Sequence, residues 1–150
     1  MVSPDMTSLE NVLIGIHAIA GILWIVFGIV LVILLKGFSK KHNQPGEHTG
    51  IKNTVMRIRA TGGITIILGI VLFALLSSQG KLPSFTSING IQLIIGVIIA
   101  FIVYIVINEG YIFRKISKLN QENVSNITGM ATLASVLTVL VLILMVMGAS

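Results

Sequence analysis

The chain has 150 residues, 55% of them hydrophobic and 10% charged, with no cysteine and a formal net charge of +5. A soluble domain carries about 25% charged residues, so this composition excludes a soluble globular enzyme, a nucleic-acid-binding domain and a disordered tail. Disulfides, iron–sulfur clusters and thiolate zinc sites are excluded as well, which leaves an integral membrane protein, expected as a single domain over residues 1–150.

A bilayer core about 30 Å thick is crossed by roughly 20 apolar residues of helix. Four runs reach that length, at about 11–35, 58–76, 88–107 and 127–148. Open strands would leave backbone groups unpaired in lipid, so each run is read as a helix. The expected fold is all-α, an antiparallel bundle of four transmembrane helices. Lipid tails are as apolar as leucine, so small and polar residues should mark the faces that touch protein.

The first run is read as a retained span. The segment before it has Asp5 and Glu10 but no Lys or Arg, unlike the basic start of a signal peptide. His17, Gly21, Trp24 and Gly28 share one face of this helix, and Trp24 is expected to fill space between helices. The connection from Gly37 to Gly50 is polar and holds Asn43, Gln44, Pro45 and Gly46, which reads as a loop. On the second span Gly62 and Gly69 stand a heptad apart with Thr65 between them. Ser77 to Ser87, with Gly80 and Pro83, reads as the next break.

The third span carries Gln92, Gly96, Ala100, Tyr104 and Asn108 at every fourth position, and helix is expected to continue to about Leu119. Tyr104 and Tyr111 fall near a membrane boundary, where aromatic belts form. Ile112, Phe113, Ile116 and Leu119 make an apolar stripe beside Arg114, Lys115 and Lys118, expected to lie at the headgroups. After a short polar connection from Asn120 to Asn126, the fourth span offers Thr128, Ala131, Ser135, Thr138 and Met145 on roughly one side.

Nine of the ten Lys and Arg residues fall in the first and third connections and their flanks, with Lys81 alone in the second. The positive-inside rule makes that basic side cytoplasmic and puts the N and C termini outside the cell membrane. Two triplets that resemble glycosylation acceptors, at Asn123 and Asn126, then fall inside and are read as chance. Glu109 closes the third span while Arg57 and Arg59 open the second. Antiparallel neighbours bring these to one depth, so Glu109 is expected to pair with Arg59 or Arg57.

His17 is the one ionisable side chain well inside a span, and such residues are functional candidates. At its depth the expected neighbours are Asn89, Gln92, Met145 and Met147. Imidazole with thioether suits copper(I) or a His/Met haem, so His17, Met145 and Met147 form the candidate cofactor or metal site. The plainer alternative is a histidine hydrogen-bonded to Gln92 or a Ser/Thr. His42 and His48, with Glu47, are a membrane thickness away and read as solvated loop residues. The spans carry no carboxylate pair, phosphate loop or Ser/His/Asp set.

His17-Ala-Ile-Ala-Gly-Ile-Leu-Trp24-Ile-Val-Phe-Gly28 resembles the first helix of copper-resistance D-like membrane domains and related small haem-b membrane proteins. Arg57-Ile-Arg59-Ala-Thr-Gly-Gly-Ile-Thr-Ile-Ile-Leu-Gly69 is similar to the basic start and later glycine of their second helix. The resemblance implies a haem or copper role with His17 as the first-helix ligand. The family pattern has a second His in another span. Here the other spans have none, and Met145 or Met147 would take that place.

Two functional expectations follow. One is a non-catalytic accessory or structural subunit of a larger membrane assembly, such as a copper monooxygenase or respiratory oxidase, with the lipid bilayer and other membrane subunits as partners. The other is a stand-alone haem-b or copper-handling protein that uses His17.

Overall fold

The structure, a computed structural model, describes residues 4–40 and 45–149, with side chains for 8–40 and 48–148. The described residues are all-helical apart from short connections. Helix α1 spans Pro4–Lys40, α2 Pro45–Ser78, α3 Ile88–Ile116 and α4 Val124–Ala149. All four are long and apolar enough to cross a membrane. Isoleucine and valine are mediocre helix formers in water. In hydrocarbon, internal backbone hydrogen bonding decides instead.

Helices α1 and α2 run far past the expected span ends. At 1.5 Å per residue, the 37 residues of α1 reach roughly 55 Å. The expected loop from Gly37 to Gly50 is therefore mostly helix, and only 41–44 lie outside the described residues. Pro45 begins α2, a position where its missing N–H costs nothing. The second break matches its turn chemistry: Gly80 adopts φ 66°. The N–H of Lys81 donates to the Leu76 carbonyl (3.0 Å) and that of Gly80 to Ser77 (3.1 Å), closing α2 in a Schellman motif. Ser87 then caps α3 by accepting from the Gly90 N–H at 3.1 Å.

Helix α3 changes its winding. Ile88–Phe101 is α-helical, Ile102–Phe113 is π-helical and Arg114–Ile116 returns to α. Wider i→i+5 bonding puts residues four and five apart on one face. Val103, Ile107, Asn108 and Ile112 are buried together in this segment.

Helix α1 packs on α2 and α4, α3 packs on α4, and the π segment touches both α2 and α4. The small-residue stripes lie at these contacts. A Cβ on Gly21 would stand 3.8 Å from the Thr65 methyl, and one on Gly28 3.0 Å from Ser135 Oγ. At Gly62 it would lie 2.9 Å from the Tyr104 ring and 3.1 Å from Trp24. Those two rings meet edge to face, with centroids 6.0 Å apart. Hydroxyls inside the helices bond to their own backbone, as Thr65 does to Thr61 (2.8 Å) and Thr138 to Ala134 (2.7 Å).

Of the stripe of Ile112, Phe113, Ile116 and Leu119, Phe113 is half-buried and the other three face protein rather than headgroups. Those three are buried with Leu35, Phe38, Ile51 and Val55 in one apolar cluster. The long ends of α1 and α2 stand beside them and cover them with protein. Gln121 Nε2 donates to the Phe38 carbonyl (3.1 Å), tying the last connection to the end of α1. Asn120 and Asn123 exchange side-chain and backbone hydrogen bonds of 2.9 Å, so Asn123 serves the turn before α4.

Candidate functional site

His17 is half-buried on α1 and faces α2. Gly69 makes room for it: a Cβ there would lie 3.2 Å from the imidazole Cε1 and 3.8 Å from Nδ1. The Thr65 backbone is beside the ring as well. The His17 Nδ1 is buried and has no hydrogen-bond partner. An imidazole nitrogen without a partner in an apolar setting is where a metal or haem iron would bind once that nitrogen is unprotonated.

The Met145 thioether is held by a contact on α3, with its Cγ 3.4 Å from where a Cβ on Gly96 would stand. Met147 is 49% exposed. Near the end of α4, a Cβ on Gly148 would lie 2.9 Å from the Asn89 carbonyl and 3.0 Å from the Leu93 nitrogen. The Asn89 backbone therefore lies at the α3–α4 contact. The donor set fits one ligand, the imidazole; its described contacts are with α2, whereas Met145 is packed on α3. Among the described residues no three His, Cys, Asp or Glu side chains gather to hold a metal. His48 packs edge to face on Phe38, with centroids 5.0 Å apart, while His42 and the Glu47 side chain lie outside the described residues. Twenty-one positions separate His48 from Gly69 on α2, roughly 30 Å of helix, so His48 and His17 cannot share an ion.

Where α2 meets the π segment of α3, Arg59 Nε stands 2.7 Å from Glu109 Oε1. The Arg59 guanidinium also lies over the Phe113 ring, 4.3 Å from its centroid. The Tyr104 hydroxyl donates to the Arg59 carbonyl at 3.3 Å. Arg57 points elsewhere, over the Phe27 ring of α1 at 5.6 Å. The π winding carries both Tyr104 and Glu109, so this cluster depends on it.

One pairing has no counterpart in the sequence reading, and one cavity joins residues that the reading puts on separate stripes. Glu10, 7% exposed, pairs with Lys81 at 2.7 Å and ties the start of α1 to the connection after α2. Its signal was present: Glu10 directly precedes the first span, and Lys81 is the one cation between the second and third. Asn108, 7% exposed, faces a cavity of about 10 Å³ that Trp24, Gly28, Ser135 and Thr138 also line. That volume holds one water at most.

Comparison with family models, curated proteins and solved structures gives no match.

Proposed function

We propose that this chain is a non-catalytic, multi-pass protein of the cell membrane that serves as an accessory or structural subunit of a larger membrane assembly. Its helices form an antiparallel bundle with both termini outside and the basic loops cytoplasmic. A redox complex such as a copper monooxygenase or respiratory oxidase is the kind of assembly meant. The observation that carries this reading is the breadth of the outward apolar faces. Ile19 and Ile33 of α1, Ile67 of α2 and Val136 and Val146 of α4 are each 60–63% exposed. Such aliphatic surfaces suit lipid or the helices of another subunit equally. The interior, by contrast, is filled at Trp24, Tyr104 and Gly62, which favours a scaffold over a conduit.

Extraction from the native membrane in mild detergent tests the reading. The chain is expected to co-purify with other membrane subunits; a monodisperse, partner-free species overturns it. Orientation has its own test. Lys40 and Lys115 should resist an impermeant amine reagent added outside, and labelling there reverses the topology.

A second reading is favoured by the orphaned Nδ1 of His17: a stand-alone protein that holds haem b or copper at that nitrogen. The purified chain would then show a haem Soret band or bound copper, lost in His17→Ala. A colourless, metal-free preparation ends that reading.

A further inference from the structure

Between α2 and the last turns of α3 lies a groove of about 340 Å³. Val55 and Ile116, 4% and 5% exposed, form its floor. Met56 and Phe113 wall it with apolar surface, and Lys52 and Arg114 bring two exposed cations to it. Glu10 and Glu109 are taken by Lys81 and Arg59, so neither neutralises this pair. Charge and grease thus meet in one concave site.

Its depth along the helices is informative. Lys52 precedes Arg59 by seven residues, roughly 10 Å, and Arg114 follows Glu109 by five, roughly 7 Å. The groove therefore stands one to two turns beyond the Arg59–Glu109 pair, where the apolar spans give way to the basic end. On the membrane setting proposed above, that is the level of a headgroup layer. A lipid there would present phosphate to the cations while its upper chain met Met56 and Phe113. Basic pockets between membrane helices commonly take anionic headgroups in this way.

We propose that this groove is a specific binding site for one anionic phospholipid. Its phosphate sits between Lys52 and Arg114, and the start of one acyl chain lies along Met56 and Phe113. The site rests on the membrane setting alone and is independent of the subunit and His17 readings.

The test uses the full chain in nanodiscs of phosphatidylcholine with a minor fraction of phosphatidylglycerol, followed by native mass spectrometry of the released protein. One phosphatidylglycerol should stay bound in preference to phosphatidylcholine. Lys52→Gln with Arg114→Gln should weaken its retention about thirtyfold, from about 1 kcal/mol per cation at a membrane surface. Lys36→Gln with Lys118→Gln removes the same charge from exposed positions that do not line the groove and should change retention less than about twofold, because neither cation touches the bound phosphate and water screens what remains. Met56→Trp fills the groove with every charge kept and should expel the lipid. Circular dichroism checks that each variant keeps its helices.

Equal loss in both double variants would reduce the site to diffuse surface charge. Equal retention of phosphatidylcholine would make it a mere apolar crevice. Displacement by inorganic phosphate would make it a free-anion site, and displacement by an acidic peptide a protein interface. Wild-type retention by Met56→Trp would deny the groove any part. Each of these outcomes overturns the proposal.

Discussion

At the basic end, Leu35 and Phe38 of α1, Ile51 of α2, Ile112 and Ile116 of α3 and Val124 and Ile127 of α4 are 5% exposed or less. At the other end α1 leaves Leu9, Val12, Ile14 and Ile16 between 43% and 54% exposed. There the contacts are an imidazole on a bare glycine, a glycine on the α3 backbone, and the Glu10–Lys81 pair. The helices are longer than a bilayer is thick, and the difference follows from their surroundings. The apolar cluster at the basic end continues to Leu31, Trp24, Val103 and Ile107; on the topology proposed above its outer part lies beyond the hydrocarbon, where burying apolar surface expels water. Within the lipid that force is absent, and close approach at small residues takes over.

The comparison breaks most easily at Phe38. This side chain is fully buried where α1 extends beyond the expected span. Phe38→Ala should cost about 3–5 kcal/mol, the range for truncating a buried aromatic. Ile33→Ala, on a lipid-facing position 62% exposed, should cost under about 0.5 kcal/mol. Unfolding in detergent micelles measures both. Comparable losses would mean that the basic end has no core of its own.

Gly62 probes the other regime. A Cβ there would lie 2.9 Å from one ring and 3.1 Å from the other, and both rings are wedged between helices. Gly62→Val should cost about 1–3 kcal/mol through overpacking. Gly15→Val, where a Cβ meets nothing within 4 Å, should be nearly silent by the same assay. Equal effects would show that helix propensity, not close approach, sets the cost.

The sequence made part of this legible. Composition implies a membrane protein and the lengths of the apolar runs imply four helices, and the stripes at His17–Gly28 and Gly62–Gly69 lie where helices meet because small residues permit that approach. Depth matching puts Glu109 beside Arg57 or Arg59, and the carboxylate lies against Arg59. The basic end was misread because Asn, Gly and Pro signal a loop, whereas Pro45 is the first residue of a helix. That error also sent Ile112 and Ile116 to the headgroups, since their partners stood in the supposed loop. The π winding of Ile102–Phe113 has no signature in the spacing: of the stripe at every fourth residue only Tyr104 and Asn108 fall in it, and the face it buries is Val103, Ile107, Asn108 and Ile112. At His17 the depth was readable, but the direction of the ring toward Gly69 was not.

The smallest expected effect separates the two ends by salt. Glu10 is 10% exposed at its side chain and Lys81 44%, so water screens the pair from one side only. Lys81→Gln removes the cation while keeping a donor of similar reach, and should cost about 1 kcal/mol, discounted for the exposed partner. Raising ionic strength should lower wild-type stability and narrow the gap to the variant, because screening acts on the charge and not on the hydrogen bond. The same salt change should leave the Phe38→Ala difference untouched. A salt response shared by both variants would mean that the two ends unfold as one unit held by general surface charge, and the division between a water-built core and a lipid-built contact would lose its energetic meaning.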